Sequence, residues 1–182
     1  MSKCSKTQAL KQKVIFVTGG AKSGKSSFAL NEAAKHEGQK AFIATAEALD
    51  EEMANRIEKH KVQRGEGWDT YEEPLQIAET IARLAGRYSV IVLDCLTLWL
   101  SNAMHRNIDI EHEMENFLNS LRDKKQDSRI YIVSNEVGTG IVPENKLARE
   151  FRDLAGTINQ KVAGVSDEVF MVVAGIPVKI KG

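Results

Sequence analysis

One stretch near the amino end restricts the fold more than any other: Val14-Ile15-Phe16-Val17, then Gly19-Gly20-Ala21-Lys22-Ser23-Gly24-Lys25-Ser26, then Phe28-Ala29-Leu30. The middle segment completes the pattern G-x-x-x-x-G-K-[ST], with an apolar strand before it and a helix after it. Its glycines let backbone N–H groups converge into an anion nest, and the N-terminus of the following helix adds about half a positive charge. Lys25 is expected to reach the β- and γ-phosphates, and the Ser26 hydroxyl to ligate Mg²⁺. With strand and helix in register around it, a phosphate site is favoured over an idle glycine-rich turn. The chain is therefore expected to bind a nucleoside triphosphate.

From Val14 onward, strand-like and helix-like segments alternate. Strands are predicted at Val14–Thr18, Lys40–Ala44, Ser89–Asp94, Arg129–Val133, Glu168–Val173 and Val178–Ile180. Helices are predicted over Lys25–Lys35, from Asp50 (as N-cap) to about Gly65, from Pro74, near Leu96–Met104, over Ile110–Lys124, and after Asn145. On the Pro74 helix, Ile77, Ala78, Ile81, Leu84 and Ala85 share one face; after Asn145, Leu147, Phe151, Leu154, Ile158 and Val162 recur at helical spacing. Such alternation implies a mostly parallel sheet covered on both faces. Val173 to Lys181 is too short for a crossover helix, so the last pair is expected to be an antiparallel edge hairpin. The fold class is thus α/β, the three-layer fold of P-loop NTPases (RecA-like).

With 182 residues the chain suits one domain, expected over residues 13–182, behind a flexible polar extension at residues 1–12. Lys+Arg and Asp+Glu both total 25, which argues against a nucleic-acid binder held by bulk electrostatics. No apolar run suits insertion into a membrane, and Met1–Lys6 lacks the apolar segment of a secretory signal. Cys4 and Cys95 are the only cysteines, expected as free thiols in a cytoplasmic protein.

Ligands of such sheets sit at the carboxyl ends of the strands. Besides the loop from Gly19, those ends are Thr45-Ala46-Glu47, Asp94-Cys95-Leu96-Thr97 and Ser134-Asn135-Glu136. Asp94 closes an apolar strand, where an acid can hold Mg²⁺ together with Ser26; capping the next helix is its simpler alternative. Val137-Gly138-Thr139-Gly140 gives its loop the backbone freedom to close over a ligand. Arg56, His60 and Arg64 are four apart and share a helix face. The arginines would keep the imidazole neutral, and a neutral imidazole near phosphates can be a nucleophile. From spacing alone, a solvated polar face is the simpler reading. His36, His105 and His112 have no evident partners, and Trp68 and Trp99 are expected in a core or interface.

These motifs together carry a resemblance. Besides Gly19–Ser26, it rests on Ile43-Ala44-Thr45-Ala46-Glu47, on Asp50…Met53…Arg56-Ile57…His60…Arg64…Trp68…Thr70…Glu72, and on Asp94–Asn102. Ser134–Gly138 with Gly140–Pro143, Leu147–Gly156 with Asn159-Gln160, and Ala174-Gly175-Ile176-Pro177 complete it. Over about residues 14 to 181 the chain resembles the bifunctional adenosylcobinamide kinase / adenosylcobinamide-phosphate guanylyltransferase family of cobalamin biosynthesis. The resemblance implies phosphorylation of adenosylcobinamide by ATP or GTP. It then implies transfer of GMP from GTP, through a guanylyl-histidine, to adenosylcobinamide phosphate. The position matching that histidine is His60, which reverses the reading from spacing alone. The GTP contacts carried over are Gly19, Gly20, Ala21, Lys22, Ser23, Gly24, Lys25 and Ser26, then Thr45, Ala46 and Glu47, then Lys61, Val62, Gln63 and Arg64, with Glu72 and Asp94. Lys25 is the second catalytic residue, Ser26 and Asp94 the Mg²⁺ ligands. The implied assembly is a homotrimer with corrinoid between subunits, consistent with apolar Leu96, Leu98, Trp99 and Leu100 forming an exposed interface.

The departures are small. Lys22 stands where relatives often have Arg, a swap that weakens bidentate phosphate contact. Lys59 stands where some relatives have a second histidine. Two other readings of the sequence are a small-alcohol kinase without a covalent step and a non-catalytic RecA-like nucleotide-binding module.

Overall fold

The computed structural model describes residues 12–48, 51–123 and 127–182; for Arg56, Lys59, His60, Gln63 and Arg64 it describes the backbone alone. The expected N-cap Asp50, the end of the fifth helix at Lys124, Cys4 and residues 1–11 of the expected extension lie outside these residues. Gln12, assigned to that extension by sequence, is buried and donates its side-chain amide to Leu121 O at 3.0 Å.

The elements are β1 (Lys13–Gly19), α1 (Lys25–Ala34), β2 (Lys40–Ala44), α2 (Glu51–Arg64), β3 (Trp68–Glu72), α3 (Ile77–Leu84) and β4 (Val90–Asp94). There follow α4 (Leu96–His105), α5 (Ile110–Arg122), β5 (Arg129–Asn135), α6 (Lys146–Val165), β6 (Glu168–Val173) and β7 (Ile176–Lys181). The strands form one seven-stranded sheet, ordered β3-β2-β4-β5-β1-β6-β7, parallel except for the β6–β7 hairpin. Period-two alternation splits β1 between two cores. Val14 and Phe16 join Trp99, Phe117 and Ile158 on one face; Ile15 and Val17 join Ala29, Ala33 and Tyr131 on the other. α1 covers the second face, while α3, α4, α5 and α6 contribute to the first.

The main differences from the sequence expectation lie at β3 and at the start of α3. β3 was not predicted: its residues Trp-Asp-Thr-Tyr-Glu are half-buried or exposed, so an edge strand lacks the apolar run that marks the others. It pairs with β2 from Lys40↔Trp68 to Ala44↔Glu72. The third helix starts at Ile77 rather than at Pro74, because the Glu73 carboxylate accepts from the N–H groups of Leu75 (3.0 Å) and Gln76 (2.7 Å) and holds a turn there. Asn145 does cap α6, its side-chain oxygen accepting from Ala148 N–H at 3.1 Å. The final strand extends over both sides of the expected Val178–Ile180 and accommodates Pro177, which an edge strand tolerates.

Candidate active site

The loop after β1 is held from several sides through its backbone. Gly24, with φ 96°, turns the chain into α1. Gly20 O accepts from Ser23 N–H (3.2 Å) and from Lys25 Nζ (2.9 Å). Glu136 N–H donates to Gly19 O at 2.9 Å, and Gly175 N–H, in the β6–β7 turn, donates to Ser23 O at 2.8 Å. Side chains are excluded: a Cβ on Gly19 would stand 2.4 Å from Val172 O. The glycine spacing thus serves close packing against β6 as well as an anion.

A cleft of about 720 Å³ opens beside this loop. The loop and α1 contribute Ala21, Lys22, Gly24, Lys25 and Ser26; β4 and its exit contribute Asp94 and Cys95, and β5 Asn135. Opposite elements of sequence meet them here, since Ala46, Met53, Ile57 and Lys61 line the same cleft. Met53, Ile57 and Lys61 follow at four-residue steps along α2. Position 60 is seven residues after Met53 and about 20° from it around the helix, on the side away from Ile57, so it falls beside Met53 at the edge of that stripe. Val62 is 75% exposed and lies off it. Gln63 and Arg64 end the helix. Lys61 pairs with Glu72 at 2.9 Å, tying α2 to the end of β3.

The Thr45-Ala46-Glu47 segment is fixed by contacts that its sequence does not announce. Thr45 is fully buried; its hydroxyl accepts from Cys95 N–H (2.7 Å) and donates to Cys95 O (2.8 Å). The Thr45 hydroxyl therefore joins β2 to β4 and does not face the cleft. Glu47 is gripped by both terminal nitrogens of Arg106, each at 2.7 Å.

Electrostatics follow burial. Lys25 is 7% exposed; burial is the main influence and lowers its pKa, against the opposing effects of Cys95 and Asp94. Burial pushes the Cys95 thiol up to about 11, with Asp94 adding to the rise, so this free cysteine is protonated and inert at neutral pH. The hydrogen bonds from Arg106 hold the Glu47 carboxyl below the usual carboxylate range. Ser26 and Asp94 on one cleft offer hard oxygen donors, the chemistry that suits Mg²⁺. Among the described residues no cluster of three or more His, Cys, Asp or Glu forms a metal cage.

Other expectations are corrected. Leu96, Trp99 and Leu100 are buried within the chain, so they are core and not an exposed interface; the indole N–H of Trp99 donates to Leu75 O at 2.8 Å. Their helix reads as exposed only if the sheet beneath it is overlooked. Trp68 packs edge-on against Phe42. His36 does have a partner, Tyr131 Oη at 3.2 Å, and His105 Nδ1 lies 2.7 Å from Ser101 O. Sequence reasoning missed Asn102 as an anchor for Thr45, Arg106 and the contact of Gly175 with the loop. The only available signal was that Asn102 and Gly175 fall inside the quoted motifs.

A loop of this pattern between strand and helix, with one strand separating it from a strand that ends in an acid, defines a P-loop NTPase. Solved structures bear this out at the level of fold. The flagellar accessory protein FlaH from Methanocaldococcus jannaschii superposes with TM-score 0.52 at 13% identity, over 93% of this chain and 78% of that one. A type III secretion system ATPase gives TM-score 0.55 at 11% identity, over 92% and 56%. Within that class the chain belongs to the CobU family, cobinamide kinase / cobinamide phosphate guanyltransferase, whose model matches residues 15–180. It is 40% identical over 181 residues to the bifunctional adenosylcobalamin biosynthesis protein CobU of Escherichia coli (strain K12), covering 92% of this chain and 99% of the relative. It is also 40% identical over 168 residues to the bifunctional adenosylcobalamin biosynthesis protein CobP of Pseudomonas aeruginosa, covering 91% and 96%. It is therefore an enzyme of cobalamin biosynthesis with kinase and guanyltransferase chemistry. Among the described residues no helix is long and apolar enough to cross a membrane.

Proposed function

We propose that one catalytic domain, residues 13–182, uses a single triphosphate cleft for both reactions, with His60 as the group that carries GMP. In the kinase step the hydroxyl oxygen of the aminopropanol arm of adenosylcobinamide attacks the γ-phosphorus of ATP or GTP. The β–γ bridging bond breaks and the nucleoside diphosphate leaves. In the second reaction an imidazole nitrogen of His60 attacks the α-phosphorus of GTP and pyrophosphate leaves. A phosphate oxygen of adenosylcobinamide phosphate then attacks the same phosphorus, the P–N bond breaks, and adenosyl-GDP-cobinamide and free His60 are produced.

The observation that carries this reading is the shared cleft, lined on one side by the P-loop and on another by the α2 stripe at whose edge position 60 falls. One phosphate cradle suits both steps: it presents the γ-phosphoryl to an alcohol, and it stabilises pyrophosphate as a leaving group. Lys25 supplies positive charge to the β- and γ-phosphates. Ser26 and Asp94 would hold Mg²⁺, which neutralises phosphate charge when bound. The GTP contacts are proposed at Gly19–Ser26, Ala46 and Glu47, 61–64, Glu72 and Asp94, with buried Thr45 holding its segment in place rather than touching the nucleotide. The protein is further proposed to act in the cytoplasm as a homotrimer, without nucleic acid. With Leu96, Trp99 and Leu100 in the core, Ile141 and Leu147, 95% and 57% exposed, become the candidate contacts.

The test is incubation with GTP labelled at the α-phosphorus. The chain should retain an acid-labile, alkali-stable label that is lost in His60→Ala and kept in His36→Ala. No retained label, or a label that survives His60→Ala, would overturn the assignment.

A further inference from the structure

We infer that Arg106, with Asn102 one helical turn before it, positions the nucleotide indirectly by fixing the loop at residues 45–47. This rests on the reading that this loop touches the bound nucleotide. The loop is held at both ends by one helix. At its start, Asn102 Nδ2 donates to Thr45 O at 2.8 Å and to Pro74 O at 3.2 Å, linking the loop to the segment that leads into α3. At its end, Arg106 grips Glu47 through two N–H···O bonds of 2.7 Å. The two side chains are four apart, so they project from one face at the C-terminal end of α4 and its cap. Ala46, between the two anchored residues, lines the cleft.

A bidentate guanidinium fixes the plane of a carboxylate as well as its distance, which a lysine would not do. A carboxylate offers about four acceptor directions, and the fork takes two. The two that remain accept donors, and the base and ribose of a nucleotide carry N–H and O–H groups of that kind. The pair does little for the fold. Its partners are 42% and 23% exposed, so solvent screens much of what the pair could add to the fold. A bidentate clamp with so small a structural role, on a segment beside the cleft, is suited to aiming Glu47. Arg106 is therefore a positioning residue.

The experiment is steady-state guanylylation with GTP varied, on the full chain, for Arg106→Ala, Arg106→Lys, Glu47→Gln and the double variant Glu47→Gln/Arg106→Ala. Arg106→Ala should raise KM for GTP roughly tenfold while kcat and Tm change little. Arg106→Lys should recover part of the loss. In the Glu47→Gln background, removing Arg106 should add nothing further, because its effect passes through that carboxylate. The acid limb of kcat/KM should move to higher pH in Arg106→Ala, as Glu47 returns to its ordinary range. An unchanged KM in Arg106→Ala overturns the inference. So does an equal rise in the Glu47→Gln background, which would put Arg106 itself on the nucleotide. Displacement of a fluorescent GTP analogue from Lys25→Ala separates the two levels. If Lys25→Ala binds normally, the underlying site reading fails; if it binds weakly and Arg106→Ala does not, only the positioning role fails.

Discussion

The two walls of the cleft are anchored differently. α1, which follows the P-loop, buries Lys25, Ala29 and Ala33 against the sheet, and the loop itself is bonded to the β5 exit and to the β6–β7 turn. α2, on another side, buries none of its described side chains; Met53 and Ile57 are half-buried, and Lys61 reaches Glu72 across solvent. The phosphate cradle is therefore defined by the sheet, whereas α2, among its described residues, meets the rest of the chain through half-buried Met53 and Ile57 and the exposed Lys61–Glu72 pair. Chemistry gives this difference a use. Under the proposed mechanism the phosphates stay at the anion nest, whereas the imidazole must first reach the α-phosphorus and then present the bound guanylyl group to the corrinoid phosphate, which enters where pyrophosphate left.

The sharpest way to break this comparison is at the rigid wall. Lys25→Ala should reduce both kinase and guanylyltransferase rates by about 10³-fold or more if both use the same phosphate site, as proposed. Parallel assays of the two steps would check this, and retained guanylylation would separate the sites. Next comes the packing beneath the loop. Gly19→Ala places a Cβ 2.4 Å from Val172 O, so backbone must move. Urea unfolding should then show a loss of roughly 2 kcal/mol, with both activities falling together.

The same contrast explains how much was legible beforehand. The P-loop, Asp94 and the central strands could be read because local sequence determines them: glycines at fixed offsets, apolar runs, and an acid at a strand end. β3 could not, because half of its surface faces water and Trp68-Asp69-Thr70-Tyr71-Glu72 has no apolar run to mark it. Long-range contacts were equally hidden. Nothing local to Arg106 announces Glu47, 59 residues earlier, nor does Gly175 announce its bond to Ser23. His60 is intermediate. Its spacing from Arg56 and Arg64 was visible, but a polar helix face alone did not distinguish a nucleophile from a solvated side chain, and only the resemblance motivates the proposal made for it.

At the loosely held wall the expected effects are selective rather than large. Glu72→Ala removes the partner of Lys61, both of them wet, so stability should change by less than about 1 kcal/mol. Guanylylation, which is proposed to need α2 in place as well as the nucleotide contact of Glu72, should fall roughly tenfold, and further than the kinase step, which loses the contact alone. Equal losses in the two assays would show that α2 is as firmly built as the P-loop and would erase the distinction drawn above.

The smallest effect belongs to the far end of the P-loop strand. There Glu168 Oε1 accepts from Lys13 of β1 (2.8 Å) and Lys179 of β7 (2.9 Å), tying three strands together. Burial, the largest single influence, pushes the Glu168 carboxyl up, but the hydrogen bonds and charges of the two lysines together leave it below its ordinary value of 4.5. A carboxyl lowered in the folded state stabilises that state at all pH above its unfolded value. That contribution is lost as pH falls through the folded value, because protonation removes the charge both lysines hold. Glu168→Gln should therefore be slightly less stable than the parent at pH 7, by under about 1 kcal/mol once solvent screening is allowed for. The gap should close as pH falls below 4.5. Denaturant midpoints of the two proteins across that range decide it. A gap that persists at low pH would mean that Glu168 contributes through packing, and that the strand under the phosphate loop owes its position to the sheet ladder rather than to these charges.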